Sequence, residues 1–366
     1  MPQRYNRTNY AFCRLIQTPR LSYRSYLGRG GCMTSSRNRN LLKTVPGLAI
    51  SAFFLWYTFK GISFAQIRAL RLVHPIWILG VLAFTLASYT LRCVRWTHMM
   101  RSTGARFSVC ARVLMTSLAA NNILPLRIGD IMRVFTYAGD LGTSPSAILS
   151  TVILEKLLDI FTLVLLFVAF MGRGVAPHYR FVAYVTLAIS TVGLLVLILG
   201  ARVLEKPIRK LFTKLPQNPK LAKVEHWLLL ALDCIRQIGI IGSLLLLVQS
   251  AIIWTCEGMI FVSAARLIGL VVDRIGPWQA VSAANLSYLI PSSPGAIGTF
   301  ELAVRTSLVS HGAVPSQAAI YGLALHAWLL ISVTGAGGII FLVHRFRIQN
   351  HEPLLKEIET LPAEMP

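Results

Sequence analysis

A chain of 366 residues that is 55% hydrophobic and only 14% charged, with a mean hydropathy of +0.62, is too apolar for an ordinary soluble globule and reads as a polytopic membrane protein. Its net charge of +22 would fit a nucleic-acid partner, but the basic residues fall between apolar runs, where membrane topology alone puts them, so no nucleic acid is expected. Cys13, Cys32, Cys93, Cys110, Cys234 and Cys256 show no CxxC pairing and no register with histidines, so neither a disulfide framework nor a zinc site is supported.

Residues 1–40 are rich in Arg, Ser, Tyr and Asn and contain no acid, which reads as a disordered basic tail. The composition also resembles a mitochondrial transit peptide without its amphipathic period, and Met33 offers an alternative start. A first span is expected at 42–59, closing on Trp56, Tyr57 and Phe59 as an interfacial belt, followed by an amphipathic connection over 60–74. A second span runs from Pro75 to Arg92, with Trp77 and Trp96 near its ends. A broken element follows at 108–135. Further spans are expected at 148–170, carrying Glu155, Lys156 and Asp159, and at 180–200. Residues 201–238 are basic and interrupted by Pro207, Pro216 and Pro219, the pattern of a surface helix pair. A fifth span at 239–262, a second broken element at 278–312, a sixth span at 316–343 and a polar tail complete the chain.

The two broken elements organise the reading. One is AANNILPLRIGDIMR (119–133) and the other AANLSYLIPSSPGAIGTFE (283–301). Each opens on Ala-Ala-Asn (Asn121, Asn285), reaches a proline (Pro125, Pro291), and then has a glycine and a carboxylate, Gly129 with Asp130 and Gly298 with Glu301. Proline removes a helix donor and glycine permits a sharp turn, so each stretch should interrupt a helix. Bare backbone groups at such a break must be buried in protein or line a wet cavity, and paired breaks in two halves of a chain point to a transporter's binding region. The expected fold is therefore an all-α polytopic membrane protein. It would have six full spans and two re-entrant broken helices, eight by hydropathy, in inverted repeats at about 41–200 and 201–345, between a tail at 1–40 and one at 346–366. With both termini cytoplasmic, most of the 36 lysines and arginines fall on inside segments, and the two breaks enter from opposite faces.

Intramembrane charge costs about 2.5–3.5 kcal/mol per residue at a helix centre, so it marks pathways and sites. Glu155 and Asp159, four apart, share a helix face and should point inward toward Arg127, Arg133 or the first break. The alternative is interfacial pairing with Lys156 or a loop arginine. Arg127 and Arg133 flank Gly129 and Asp130, where a helix start offers free donors to a phosphate or other anionic headgroup. The alternative there is a local Asp130–Arg133 pair that only stiffens the turn. Glu301 and Arg305 repeat the spacing at i and i+4. Pro291, Pro294, Gly295 and Gly298 make an irregular backbone suited to lining a cavity, with Asn122 and Asn285 beside the breaks. Glu257 sits in the fifth span and His326 in the sixth, where a bonded packing histidine is the alternative to a ligand. Gly335, Gly337 and Gly338 suit close helix approach. The sequons at Asn6 and Asn285 read as chance matches. HExxH, GxSxG, GxxxxGK[ST] and post-strand GxGxxG patterns are missing, so no catalytic residue, metal or cofactor is expected.

NNILPLRIGDIMR, then ILEKLLD, then SYLIPSSPGAIGTFE and a Gly-Ala-Val turn at Gly312–Val314 together resemble the membrane region of lysylphosphatidylglycerol synthase, over about residues 41–345. The resemblance implies re-entrant elements in inverted repeats and, in stand-alone flippase-like members, hopanoid transporters among them, movement of a lipid between leaflets. It maps onto Asn121, Pro125, Arg127, Gly129, Asp130, Arg133, Glu155, Asp159, Pro291, Pro294, Gly295, Gly298 and Glu301. Relatives usually carry Glu-Arg where this chain has Glu155-Lys156, and often an arginine where it has His326. Only a short polar stretch follows Arg345, so an aminoacyl-transferring domain is not expected. The function expected is translocation of a phospholipid, hopanoid or glycolipid in a bacterial inner membrane, with homo-oligomerisation open. A membrane enzyme or partner in lipid or glycan assembly, with Asp130, Glu155 or Glu301 as acid, base or ligand, is the alternative, and a solute or ion transporter is a third.

Overall fold

The computed structural model describes residues 52–60, 71–124, 127–171, 177–200, 205–213, 219–289 and 294–359. The expected basic tail, most of the first span, part of the 60–74 connection, Pro125, Pro291 and the end of the polar tail lie outside them. Among the described residues the fold is all-helical. We label α1 (52–59), α2 (Trp77–Met99), α3 (Phe107–Ile123), α4 (Ile128–Phe135), α5 (Pro145–Ala169), α6 (Pro177–Gly200), α7 (Glu205–Thr213), α8 (Pro219–Leu267), α9 (Gly276–Ser287), α10 (Thr299–Ser310) and α11 (Pro315–Glu359).

Among the described residues, three stretches are long and apolar enough to cross a membrane: Trp77–Met99, Ile238–Leu267 and Pro315–Arg347. At 1.5 Å per residue the first, of 23 residues, spans about 35 Å against about 30 Å of hydrocarbon. The outer surface is rich in exposed apolar side chains while charged ones are enclosed. Leu86, Ile241 and Ile331 are 71%, 85% and 69% exposed while Arg95 and Arg133 are 1% and 0%. This is a multi-pass membrane protein. The second span was expected to end at Arg92; instead α2 runs to Met99 and carries Arg92 and Arg95 inside the helix. Trp96, expected at an interface, is buried. Both differ because hydropathy falls at the first charge, whereas a buried partner allows the helix to continue past it. Similarly, α11 continues helical into the expected polar tail, to Glu359.

Local chemistry sets the helix ends. Ser144 caps α5 by accepting the Ala147 N–H, with Pro145 in the first turn. Leu124, which precedes Pro125, leaves α3 in an extended conformation, the region proline imposes on its predecessor. Gly239, at φ 68° and ψ 179°, breaks α8 into a basic first arm and an apolar second one. The first arm meets α7 through Arg236 and Glu205 at 3.7 Å, and α7 buries no residue.

Both broken elements are helical hairpins. In α4, Gly129 abuts the Ser117 carbonyl and Asn121 of α3, with no room for a Cβ, so the chain doubles back on α3. In the second hairpin, Gly276 at the head of α9 lies against His311 just past the end of α10, and the Asp273 N–H donates to the His311 carbonyl at 3.3 Å. That open end is clasped by His311, whose Nδ1 pairs with Asp273 at 2.7 Å. Burial alone would raise the Asp273 carboxyl, but the His311 bond and the Gly276 and Ile275 N–H groups hold it below the usual carboxylate range.

Contacts between elements come in matched pairs. The α2 helix packs on α3 and α8 on α9; α4 packs on α5 and α10 on α11. Between elements distant in sequence, α5 lies on α9 while α11 lies on α3, and α2 lies on α8. Each hairpin is seated in its own apolar core: Leu114, Val134, Ile148 and Leu158 around the first, Phe261, Val281, Phe300 and Tyr321 around the second.

Candidate functional site

The tips of the two hairpins touch. Arg127, the residue before α4, donates from Nη2 to the Tyr288 carbonyl just past α9 at 3.0 Å, and its guanidinium lies 6.0 Å from the Tyr288 ring centre. Gly295 faces the Asn122 carbonyl, and Asn122 Nδ2 donates to Thr334 Oγ1 of α11 at 3.2 Å. Among the described residues, the non-glycine positions with positive φ are Arg127 (54°) and Ala296 (55°), one at each tip. Left-handed backbone at a residue with a Cβ costs about 1–3 kcal/mol and collects at functional sites. Two glycines at the second tip also have positive φ, Gly295 at 68° and Gly298 at 93°.

Behind the first tip lies a buried ionic network. Asn121 and Asp130 bond reciprocally, side-chain amide to carboxylate and backbone N–H to amide oxygen, both at 3.1 Å, which staples α4 to α3. Asp130 also faces Lys156 at 3.5 Å and Arg133 at 3.7 Å. Arg133 Nη1 lies 3.0 Å from Glu155, and the guanidinium sits 5.0 Å from the Trp96 ring centre. These approaches are ion pairs in distance, but the Arg133 N–H groups are not aligned for hydrogen bonds in this conformation. Glu155 therefore points inward to Arg133, while Lys156, offered in the sequence as its interfacial partner, faces Asp130 instead.

Asp159 turns to a partner the sequence reading did not assign. Its carboxylate accepts from Arg95 Nη1 at 2.7 Å and from Trp254 Nε1 at 3.2 Å, and Arg95 also donates to Ser250 Oγ at 2.6 Å. One step along α2, Arg92 reaches Glu257 at 3.4 Å, which accepts from Ser88 at 2.8 Å. Ser88, Arg92 and Arg95 are spaced by four and three, so they share a face of α2. That spacing was the signal available in the sequence.

The second tip has a different chemistry. Glu301 Oε2 accepts the Gly298 N–H at 2.7 Å, returning from the first turn of α10 to its start. Its other oxygen lies 2.8 Å from His326 Nδ1. His326 stacks on Phe300 at 4.0 Å, and its Nε2 lies 3.4 Å from the Tyr288 hydroxyl. Two expectations do not meet here. Arg305 does not pair with Glu301 in the manner its spacing suggested but donates to the Tyr57 and Thr58 carbonyls. Asn285, beside the second break, donates to the Val281 carbonyl one turn back in its own helix. Of the glycines placed for close approach, Gly337 meets the Met115 carbonyl of α3, whereas Gly335 and Gly338 face open space. Pro294 begins the single turn 294–296 that leads into α10.

The described residues hold no cluster of three metal-ligating side chains. No solved structure matches the chain. A curated relative, the glycosyltransferase AglD of Haloferax volcanii, is 22% identical over 339 residues, covering 82% of this chain and 53% of that protein. The chain thus spans about half the length of that relative. The family described as lysylphosphatidylglycerol synthase TM region matches residues 45–337, and the chain belongs to it.

Proposed function

We propose that the protein translocates a lipid with an anionic headgroup between the leaflets of a bacterial inner membrane. In this reading six full spans surround two re-entrant hairpins, α3–α4 and α9–α10, that enter from opposite faces in inverted repeats, with both termini cytoplasmic. The observation that carries it is the Arg127–Tyr288 contact at 3.0 Å, where the irregular tips of both hairpins meet beside buried charge. Irregular backbone at membrane depth is tolerated where it lines a polar path. A headgroup crossing bare hydrocarbon would lose its water without replacement, and a path of donors and charges substitutes for that water.

The roles divide by enclosure. Arg133 has a side chain 0% exposed and is surrounded by Glu155, Asp130 and Trp96, so it positions α4 and does not reach a headgroup. Arg127 is half-buried and bonds to a carbonyl, a neutral acceptor that leaves its charge to attract an anion. Asn122, Gly295 and the left-handed tip backbone complete the polar surface, and the tails stay in hydrocarbon. Rocking of one half against the other would carry the site between leaflets.

Reconstitution with labelled phosphatidylglycerol tests this. Arg127→Ala should slow leaflet exchange about tenfold, on the scale of one charged hydrogen bond of about 1.5–3 kcal/mol, and Glu155→Ala should slow it by freeing Arg133. Equal rates for both variants and wild type would remove the proposed site. The similarity to a glycosyltransferase over its partial length supports a second reading, in which the cargo is a lipid-linked glycan intermediate. Faster exchange of a lipid-linked sugar than of phosphatidylglycerol would favour it.

A further inference from the structure

The contact between the tips continues into a chain of titratable groups. It runs from the Arg127 guanidinium to the Tyr288 backbone and ring, from the Tyr288 hydroxyl to His326 Nε2 at 3.4 Å, and from His326 Nδ1 to Glu301 at 2.8 Å. His326 and Glu301 are 1% and 2% exposed, while Tyr288 is half-buried and stands between them and the tip. We infer that Glu301, His326 and Tyr288 form a proton-binding site linked to the anion site at Arg127, so that a proton and an anionic headgroup are taken up together. This rests on the translocation reading above.

The argument is charge counting in a dry site. With His326 neutral, Nδ1–H donates to the Glu301 carboxylate, Nε2 accepts from the Tyr288 hydroxyl, and the pair carries one negative charge. An anion arriving at Arg127 brings a second negative charge to the same junction. Protonating Nε2 brings the pair to zero and turns the Tyr288 contact around, the imidazolium donating and the phenol oxygen accepting. Anion and proton therefore stabilise each other, and the coupling is reciprocal by linkage. Histidine can make this change between about pH 5 and 8, which an arginine cannot.

The other groups facing this chain do not remove the effect. Phe300 of α10 covers the ring face. The remaining charge acting on Tyr288 is Glu257 of α8, already held by Arg92 and Ser88 of α2. Asp130 at the first tip is matched by Lys156 and Arg133. Among the described residues, Glu301 is the carboxylate on this bonded chain with no lysine or arginine paired to it.

Full-length protein labelled with 15N-histidine in nanodiscs tests the linkage directly. The His326 resonance is identified by its absence in His326→Gln, and is titrated with and without short-chain phosphatidylglycerol, with diacylglycerol as the uncharged control. Phosphatidylglycerol should raise His326 proton affinity on the order of tenfold, diacylglycerol should not, and the rise should vanish in Arg127→Gln. Identical titrations with both lipids overturn the inference. In parallel, proteoliposomes with trapped pyranine and labelled phosphatidylglycerol report proton and lipid movement under an imposed pH gradient. Lipid exchange without proton movement overturns the proton-coupled reading and leaves translocation standing. A shifted His326 titration without lipid exchange supports the linked site and overturns translocation.

Discussion

Asp159 and Arg95 approach to 2.7 Å with the arginine side chain 2% exposed, so neither charge has solvent to fall back on. Removing one partner of a buried pair leaves the other uncompensated and costs about 3–5 kcal/mol, whereas replacing both by apolar groups is near neutral. Asp159→Asn and Arg95→Met should therefore each lower the thermal midpoint sharply, and Arg95→Met with Asp159→Leu should recover most of the loss. If the double variant is as unstable as the sum of the single ones, the pair is not a unit. The acid side of this network was legible in the sequence, because Glu155 and Asp159 lie four apart in an apolar run. Its basic side was not. Arg92 and Arg95 look like the loop that ends a span until Ser88, Arg92 and Arg95 are seen as one face of a helix that Glu257 and Asp159 allow to continue.

The hairpins depend on a smaller feature, the absence of a Cβ at Gly129. A methyl there would meet the Ser117 carbonyl oxygen and the Asn121 side chain, all of them fixed by α3 and by the Asn121–Asp130 bonds. Neither neighbour can yield without parting α4 from α3. Gly129→Ala should cost about 1–3 kcal/mol of stability, the usual scale for forced overpacking. Gly139→Ala, with open space around its Cβ position, should stay within about 0.5 kcal/mol. Equal midpoints for the two variants in detergent would show that the close approach is not limiting. The breaks themselves could be read from proline and glycine, since those residues act on their own backbone. What the breaks touch could not. Whether Arg127 faces Asp130 or Tyr288 is decided by a residue 161 positions away, and local pattern carries no information about that.

The matched contacts give the molecule its mechanical possibilities. Because α5 lies on the second hairpin and α11 lies on the first, a rocking motion in the proposed mechanism would carry each hairpin together with an element from the other end of the chain. Such an exchange was only hinted at by the repeated Ala-Ala-Asn openings, and the unlike bonds of Asn121 and Asn285 show why: the two hairpins share contacts more closely than they share side chains. If translocation proceeds by rocking, a tie between the halves at the tip should stop it. Asn122 of α3 and Thr334 of α11 already meet at 3.2 Å, so cysteines placed there, in a chain whose six native cysteines are replaced, can be joined by a short thiol crosslinker. The tie adds no charge to the path and keeps Arg127, Tyr288 and the His326–Glu301 pair unchanged. Crosslinked protein should match the uncrosslinked double-cysteine variant, which already lacks the Asn122 amide, in midpoint and lipid binding yet lose that variant's leaflet exchange, and a reducible linker should restore exchange on reduction. Undiminished exchange across the intact crosslink would mean that lipids pass through a fixed groove, and the rocking of halves would have to be given up while the Arg127 site could remain.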